Sequence, residues 1–275
     1  MKAIAALMTV HNRRTKTLKC LECLYACFIP DGYSLDVYMT DDGCTDGTPD
    51  AVRKKYPSVH IINGDGTLYW NRGMWNAWNA AAKDEYEFYF WLNDDTYLYP
   101  NAISTLISNS DDYTNQVIVV GATENSAKTI LTYGGRKEKK IPIPSGGAVE
   151  VDYFNGNAVL IPRYVYNILG NLDYYFCHSK GDFDYGFRAG KAGIKMLQAG
   201  DIVGVCEKHA RIDKWCDPQV CLSERWKVMW SPTGMSPVEF FYFDKKHKGY
   251  GSAFIHFFSI ISRCVFPSLW LRHKS

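Results

Sequence analysis

Asp94 and Asp95 stand side by side at the end of an aromatic, apolar run, Phe90-Trp91-Leu92-Asn93. Adjacent carboxylates repel, and a positive partner relieves the cost. A hard divalent cation, Mn2+ or Mg2+, that takes oxygens from the protein and from a diphosphate is the simplest chemistry for such a pair. A solvated turn is the other reading of the same dipeptide. A second pair opens the run Asp41-Asp42-Gly43-Cys44-Thr45-Asp46-Gly47-Thr48. Helix capping accounts for Asp46 or Thr48, whereas Asp41 and Asp42 can accept from a nucleobase edge or a ribose hydroxyl. Asp182 and Asp184 stand at the start of a third, helical pattern. The helix dipole keeps a carboxylate there ionised, as a proton acceptor must be, and the same residue is also a good N-cap.

The elements that must position these acids follow from periodicity. Glu87 to Leu92 is almost wholly apolar, as a strand covered on both faces of a parallel sheet would be, and ligands of such sheets collect beyond the strands' carboxyl ends. Ala3 to Val10 reads as the first strand. His11-Asn12-Arg13-Arg14-Thr15 forms the polar turn into a helix over about 16–28. Ser34 to Thr40 and Val59 to Asn63 are further strands. The Gly64-Asp65-Gly66 stretch lets backbone approach a ligand closely before a helix running to about Lys83. Trp75 and Trp78 on that helix have the spacing of a packing stripe. Gln116 to Gly121 is another strand, and residues 122–148 read as a loop or hairpin over the site, its Lys137 to Lys140 run a solvated face.

Composition bounds the function. With 275 residues the chain can bury a large core. A formal net charge of +2 argues against nucleic acid as the main partner. The nine cysteines are an odd number, and the strand pattern beginning at Lys2 argues against a secretory leader, so a reducing cytoplasm is expected. Cys20, Cys23 and Cys27 have core spacing, and Cys206, His209, Cys216 and Cys221 do not form the two tight pairs of a zinc site. The turn at 11–15 contains no glycine, which excludes a G-x-G-x-x-G dinucleotide fingerprint.

Thr9-Val10-His11-Asn12-Arg13 followed by the Asp41 to Thr48 run resembles the opening of family 2 glycosyltransferases of the GT-A type, with Cys44 where a Ser is usual. Asn71-Arg72-Gly73 matches the family's Asn-x-Gly at a helix start. The stretch from Gly181 to Gly193 matches Glu-Asp-x-Asp-x-x-x-Arg-x-x-x-x-Gly except for Gly181, which replaces the Glu. The resemblance covers roughly residues 1–215. It implies an α/β fold of GT-A type, a mostly parallel sheet flanked by helices. It also implies a donor site at Thr9, His11, Asn12, Arg13, Asp41, Asp42, Gly66, Trp70, Asn71, Arg72 and Asp94, with Asp94 at the ribose. Asp95 and His209 would hold Mn2+ or Mg2+. Asn155, Gly156 and Asn157 would form an acceptor-side turn, with Arg163 the basic residue after it. Asp182 is the implied catalytic base and Asp184 the second candidate.

The expected activity is inverting transfer of a sugar from a UDP- or dTDP-linked donor to a hydroxyl of a saccharide or lipid-linked saccharide, with rhamnosyl or galactosyl transfer in surface-polysaccharide assembly as the nearest analogy. Two other classes stay open: a sugar nucleotidyltransferase, although the first turn lacks the glycines of that family, and a binding protein on a decayed transferase fold, which Gly181 makes conceivable. Glu224-Arg225-Trp226 resembles part of the Gln-x-x-Arg-Trp of processive synthases. Leu222 stands in place of the Gln and no 18-residue apolar run exists, so single addition is expected. A catalytic domain over about 1–244 is expected, its donor half about 1–120 and its acceptor half about 121–244. A tail, 245–275, holds six Lys or Arg and no acid around the apolar Ala253 to Ile261. Such a tail suits a peripheral contact with an anionic membrane surface.

Overall fold

A computed structural model of the chain describes residues 2–208 and 213–268. It divides into two compact units, one of residues 1–174 with 181–208, the other of 175–180 with 209–275. Residue 244 lies inside the second unit, within the helix Pro237–Lys248.

The first unit opens with alternating strands and helices: β1 (Lys2–Val10), α1 (Arg14–Tyr25), β2 (Tyr33–Asp41), α2 (Thr48–Lys55), β3 (His60–Asn63), α3 (Tyr69–Ala81) and β4 (Phe88–Leu92). It continues with β5 (Tyr97–Leu98), α4 (Ala102–Asp111), β6 (Ile118–Glu124), β7 (Leu131–Tyr133), β8 (Gly135–Arg136), β9 (Val149–Glu150), β10 (Tyr153–Phe154), β11 (Ala158–Pro162), α5 (Arg163–Leu169), α6 (Gly181–Lys191) and β12 (Met196–Val205). The main sheet runs β3-β2-β1-β4-β11-β6-β12-β5, and β8 pairs with β10 apart from it. β3, β2, β1 and β4 are mutually parallel, as are β6 and β12, while β11 runs antiparallel between β4 and β6.

Alternation along the central strands fills both faces. Ile4, Ala6, Met8, Phe88, Phe90 and Leu92 pack with Cys20, Leu21 and Leu24 of α1 and Ile103 and Leu106 of α4. Ala5, Leu7, Tyr89 and Trp91 point the other way, onto Met74, Ala77 and Trp78 of α3 and Tyr185 and Ala189 of α6. Every residue of β4 is buried, which is why the strand reads as an unbroken apolar run. The topology then fixes one functional edge. Val10 pairs with Asp41 across β1 and β2, and Leu7 with Trp91 across β1 and β4, so the turns after these parallel strands emerge together. Antiparallel β11 begins at that edge, with Ala158 opposite Leu92, and so adds Asn155 to Asn157. The excursion at 122–148 is more ordered than expected. β6 extends to Glu124, and β7 and β8 follow because Gln198 anchors the segment, its Oε1 accepting from Gly135 N and its Nε2 donating to Pro142 O.

The second unit contains α7 (Leu222–Met229), α8 (Pro237–Lys248) and α9 (Tyr250–Val265). Its core is Trp215, Met229, Phe240, Ile260 and Cys264. Arg225 is buried and donates to the carbonyls of Cys264 and Val265 at the end of α9 and of Val220 before α7. Within this unit it closes a helix C-terminus, where a cation is favourable.

Candidate functional site

The loop after β2 is built around its acids. Asp41 Oδ1 accepts from Cys44 N at 2.8 Å. Asp46 receives Arg14 N at 2.9 Å and Thr48 N at 3.0 Å, the cap expected of it. Asn12 adopts φ +50° and its Oδ1 accepts from Thr45 N at 2.7 Å, tying the turn after β1 to the loop after β2. His11 Nδ1 lies 2.6 Å from the Asp42 carbonyl, which can only accept, so Nδ1 carries the proton.

Asp42 is 3% exposed and receives three backbone N–H groups: Gly66 at 2.9 Å, Leu68 at 3.1 Å and Tyr69 at 2.8 Å. The start of α3 has no side-chain cap of its own, so this carboxylate satisfies donors the helix leaves open. Two glycines make room for the arrangement. A Cβ on Gly43 would lie 2.9 Å from Gly66 Cα, and one on Gly73 would lie 2.1 Å from Thr9 Oγ1. Thr9 therefore packs under the start of α3, with Asn71 and Arg72 held above: Asn71 Nδ2 donates to Asp173 O at 2.9 Å and Arg72 Nε to Tyr174 O at 3.1 Å.

At the end of β4, Arg13 Nη1 lies 3.0 Å from both Asp94 Oδ1 and Asp95 Oδ2. The positive partner the pair requires is thus supplied from the chain itself. Thr17 donates to Asp94 Oδ2 at 3.3 Å, and Lys16 Nζ is 4.0 Å from Asp95. Burial pushes the Asp94 carboxyl up to about 6, against the pull of Arg13 and with a further push from Asp95. Burial works against the charge on Arg13, but Asp94 and Asp95 more than offset it and raise its pKa. Asp94 is walled in by these partners. Asp95 is more open, its side chain 19% exposed, and its Oδ1 meets only the Cys206 thiol at 3.8 Å among the described residues.

Asp95 therefore fits a hard cation as a single carboxylate, and Mg2+-type sites commonly use one or two carboxylates with substrate phosphates and water. His209, expected to join it, lies outside the described residues. Among those residues no three His, Cys, Asp or Glu side chains gather into a cage.

Asp182 lies in the first turn of α6. Its Oδ2 accepts from Gly156 N at 3.1 Å and its Oδ1 from Phe183 N at 2.8 Å. Gly156 passes over the Trp70 ring so closely that a Cβ there would come within 2.6 Å of it, and Trp70 Nε1 donates to Asn93 Oδ1 at 2.7 Å. An unbroken series of contacts, Asp182 to Gly156 to Trp70 to Asn93, ends beside Asp94 and Asp95. Gly181 sits against Asn71. Asp184, the second candidate, is instead fully buried and accepts from Arg188 Nε at 2.9 Å, while Arg188 also donates to Leu169 O and Asn171 O. A fully buried acid with that partner contributes to the packing of α6, and removing its charge would leave Arg188 with its two carbonyl acceptors alone.

The acceptor-side turn is split. Gly156 meets Asp182, whereas Asn155 Oδ1 is taken by Arg136 Nε and Nη2 at 3.2 and 3.0 Å. Asn157 is buried, with its carbonyl on Asn93 N and its Nδ2 on Cys206 Sγ. Arg163 donates to Tyr86 O and lies at the opposite end of β11. Sequence reasoning missed Asn93, Thr17, Arg136 and Cys206. Asn93 had a usable signal, being a polar residue fixed between a buried strand and two acids.

The fold has counterparts in solved proteins. S. aureus TarS bound to UDP superposes with a TM-score of 0.56 at 14% identity, over 75% of this chain and 60% of that one. TarS residues 1–349 with UDP-GlcNAc gives 0.57 at 14% identity over 96% and 72%. A longer TarS structure gives 0.57 at 12%, with 96% of this chain spanning 43% of it. At these identities the likeness establishes the fold, the GT-A arrangement of a mostly parallel sheet between helices. No curated protein matches the sequence. The family model for glycosyl transferase family 2 matches residues 5–163, more than half of the chain, from β1 to the end of β11. The chain accordingly belongs to glycosyl transferase family 2.

Proposed function

We propose that this enzyme moves a sugar, with inversion, from a UDP- or dTDP-linked donor to a hydroxyl of a saccharide or lipid-linked saccharide in the cytoplasm. Support for the donor class comes from the TarS structures, which hold UDP and UDP-GlcNAc. The observation that carries the reading is the contact series from Asp182 through Gly156 and Trp70 to Asn93, which brings a helix-start carboxylate to the acid pair on one sheet edge.

In this reading the turns after β1 and β2 receive the nucleotide and the Asp94-Asp95 turn receives ribose and diphosphate. Asp95 would hold Mn2+ or Mg2+, which would supply charge neutralisation for the departing diphosphate. Arg13 is placed to neutralise the same group. Asp182 takes the proton from the acceptor hydroxyl as its oxygen attacks the anomeric carbon from the face opposite the nucleotide. Gly156 N and Phe183 N orient its two oxygens, and the N-terminus of α6 favours its ionised form until the proton arrives. Trp70 floors the space between donor and base.

The test is donor hydrolysis and transfer over a set of nucleotide-sugars with Mn2+, followed by NMR of the product's anomeric configuration. Inverted product is expected. Retained configuration overturns the base assignment, tight donor binding without turnover favours a binding protein, and turnover that requires a sugar phosphate and a nucleoside triphosphate favours a nucleotidyltransferase.

A further inference from the structure

The second unit ends in a helix that is apolar on more than its buried side. Ile260 and Cys264 of α9 face the unit's core, and Ala253 is buried as well. Away from them stand Tyr250, Phe254, Ile255 and Phe258, with 61%, 52%, 74% and 61% of their surface exposed, and Phe266 just beyond the helix. Between these lie Gly251, Ser252 and Ser262, and Arg263 is the one Lys, Arg, Asp or Glu in the helix. A helix apolar all round is normally covered on all sides, and clustered exposed aromatics mark an interaction surface. An apolar groove of about 240 Å³, lined by Val238, Phe241, Phe254, Phe257 and Phe258, opens between α8 and α9 beside this face.

Charge identifies the cover. Lys245, Lys246 and Lys248 end α8 next to the start of α9, and no Asp or Glu follows between Lys245 and Ser275. Lys248 is committed to the buried Asp244 at 2.9 Å, whereas Lys245 is exposed, over the Tyr250 ring. A second copy seated on this face would offer these lysines no Asp or Glu from its own 245–275 segment. A surface of anionic headgroups over hydrocarbon matches both the basic end and the aromatic face. The helix has 16 residues, roughly 24 Å of length, and no described helix is long and apolar enough to cross a membrane.

We propose that the exposed face of α9, with the basic end of α8, docks in the plane of an anionic phospholipid bilayer, the aromatic rings and the α8–α9 groove taking up lipid hydrocarbon. This stands apart from the sugar-transfer reading, since it concerns only where the enzyme is held.

Co-sedimentation of the full chain with phosphatidylcholine vesicles, with and without phosphatidylglycerol, tests it. The protein is expected to pellet with anionic vesicles at low salt and to be released at high salt. Phe254→Ser with Phe258→Ser should lower partitioning at least about tenfold. Lys245→Gln with Lys246→Gln should lower it roughly twenty-five-fold, at about fivefold per lysine. All four positions lie outside the site described above, so circular dichroism and donor hydrolysis in vesicle-free solution should match the parent, which separates loss of docking from any failure of the transferase reading. The proposal is overturned if the parent stays in the supernatant with anionic vesicles, or if both double variants pellet as it does. It is equally overturned if sedimentation velocity shows a dimer that the phenylalanine variant dissolves while no vesicle binding occurs.

Discussion

Gly181 and Asn71 occupy one another's space: a Cβ built on Gly181 would lie 1.7 Å from Asn71 Oδ1 and 2.6 Å from its Cγ. The glycine that breaks the family's Glu-Asp pattern is therefore required by an asparagine on another helix, and Asn71 is fully buried between them. Gly181→Ala is expected to lower both melting temperature and turnover, because Asn71 must move and the turn carrying Asp182 moves with it. Asn71→Ala should relieve the clash, so a double-mutant cycle should show coupling of at least about 1 kcal/mol. Simple additivity of the two melting-temperature losses would count against the relationship. Restoring the usual acid with Gly181→Glu should inactivate the enzyme.

Asp182 and Asp184 should separate cleanly. Asp182→Asn is expected to cut turnover by at least about a hundredfold, the scale of losing a general base, with donor binding and melting temperature near the parent. Asp184→Asn should instead destabilise by about 2 to 3 kcal/mol, below the full cost of breaking a buried pair because the Arg188 side chain is 20% exposed. Kinetics and denaturant unfolding measured on both variants decide it. Equal loss of turnover with unchanged stability in Asp184→Asn would reverse the assignment.

Asp42→Ala leaves three backbone N–H groups at the start of α3 without their acceptor. Charge-assisted bonds of this type contribute about 1.5 to 3 kcal/mol each, partly replaced by water, so a loss of roughly 3 kcal/mol is expected. Hydrogen exchange should rise at Gly66, Leu68 and Tyr69 before it rises in β1. Unchanged protection there would mean that the loop holds itself.

The fold was largely legible because its signals are local. Apolar runs marked β1, β2 and β4, the last two leading into acid pairs, and glycines marked the loop between β3 and α3. The roles of individual acids were harder to read, because they depend on partners distant in sequence. Nothing near Asp94 indicates that Arg13 will reach it, and nothing near Gly181 indicates Asn71. Asp184 is the exception, since Arg188 four residues on is the spacing at which helix charges pair. Asp42 stands in a run that matches a motif, but the donors it satisfies, Gly66, Leu68 and Tyr69, lie more than twenty residues further on. The apolar cluster at 253–261 was legible as a surface feature, but its extension into a helix from Tyr250 to Val265 follows from packing on Trp215, Met229 and Phe240.

Cysteine chemistry offers a check on local environments. Cys221 is exposed, and the Ser223 hydroxyl and the Glu224 backbone N–H hold its thiol below the usual range. Burial pushes Cys44 up to about 12, with Asp41 adding to it, and pushes Cys206 to about 12 with Asp95 adding to it. The thiolate is the reacting species, so iodoacetamide near pH 8 should label Cys221 at least about tenfold faster than Cys44, although Cys44 is only half-buried. Raising the pH should narrow the gap as Cys44 begins to ionise. Peptide mass spectrometry reads the order, and equal early labelling would contradict the acidic surroundings assigned to Cys44.

Arg13 makes the last prediction the sharpest test of the diphosphate site. It now bridges Asp94 and Asp95, so a nucleoside diphosphate that arrives with Mn2+ must share or displace that guanidinium. Asp95→Ala removes the more open carboxylate and leaves Asp94 with Arg13 and Thr17. Its affinity for UDP should therefore lose the Mn2+-dependent part and keep the part measured with EDTA. Arg13→Ala leaves the two acids facing each other with only Lys16 nearby, at 4.0 Å from Asp95. Repulsion between them should then make Mn2+ binding tighter in the absence of nucleotide, while UDP affinity with EDTA falls because the phosphate loses its cation. Calorimetry of both variants, with Mn2+ alone and with UDP in either condition, reads all of these terms. Unchanged Mn2+-dependent UDP affinity in Asp95→Ala would move the ion away from this turn, and unchanged EDTA affinity in Arg13→Ala would leave its guanidinium a structural clamp on the two acids.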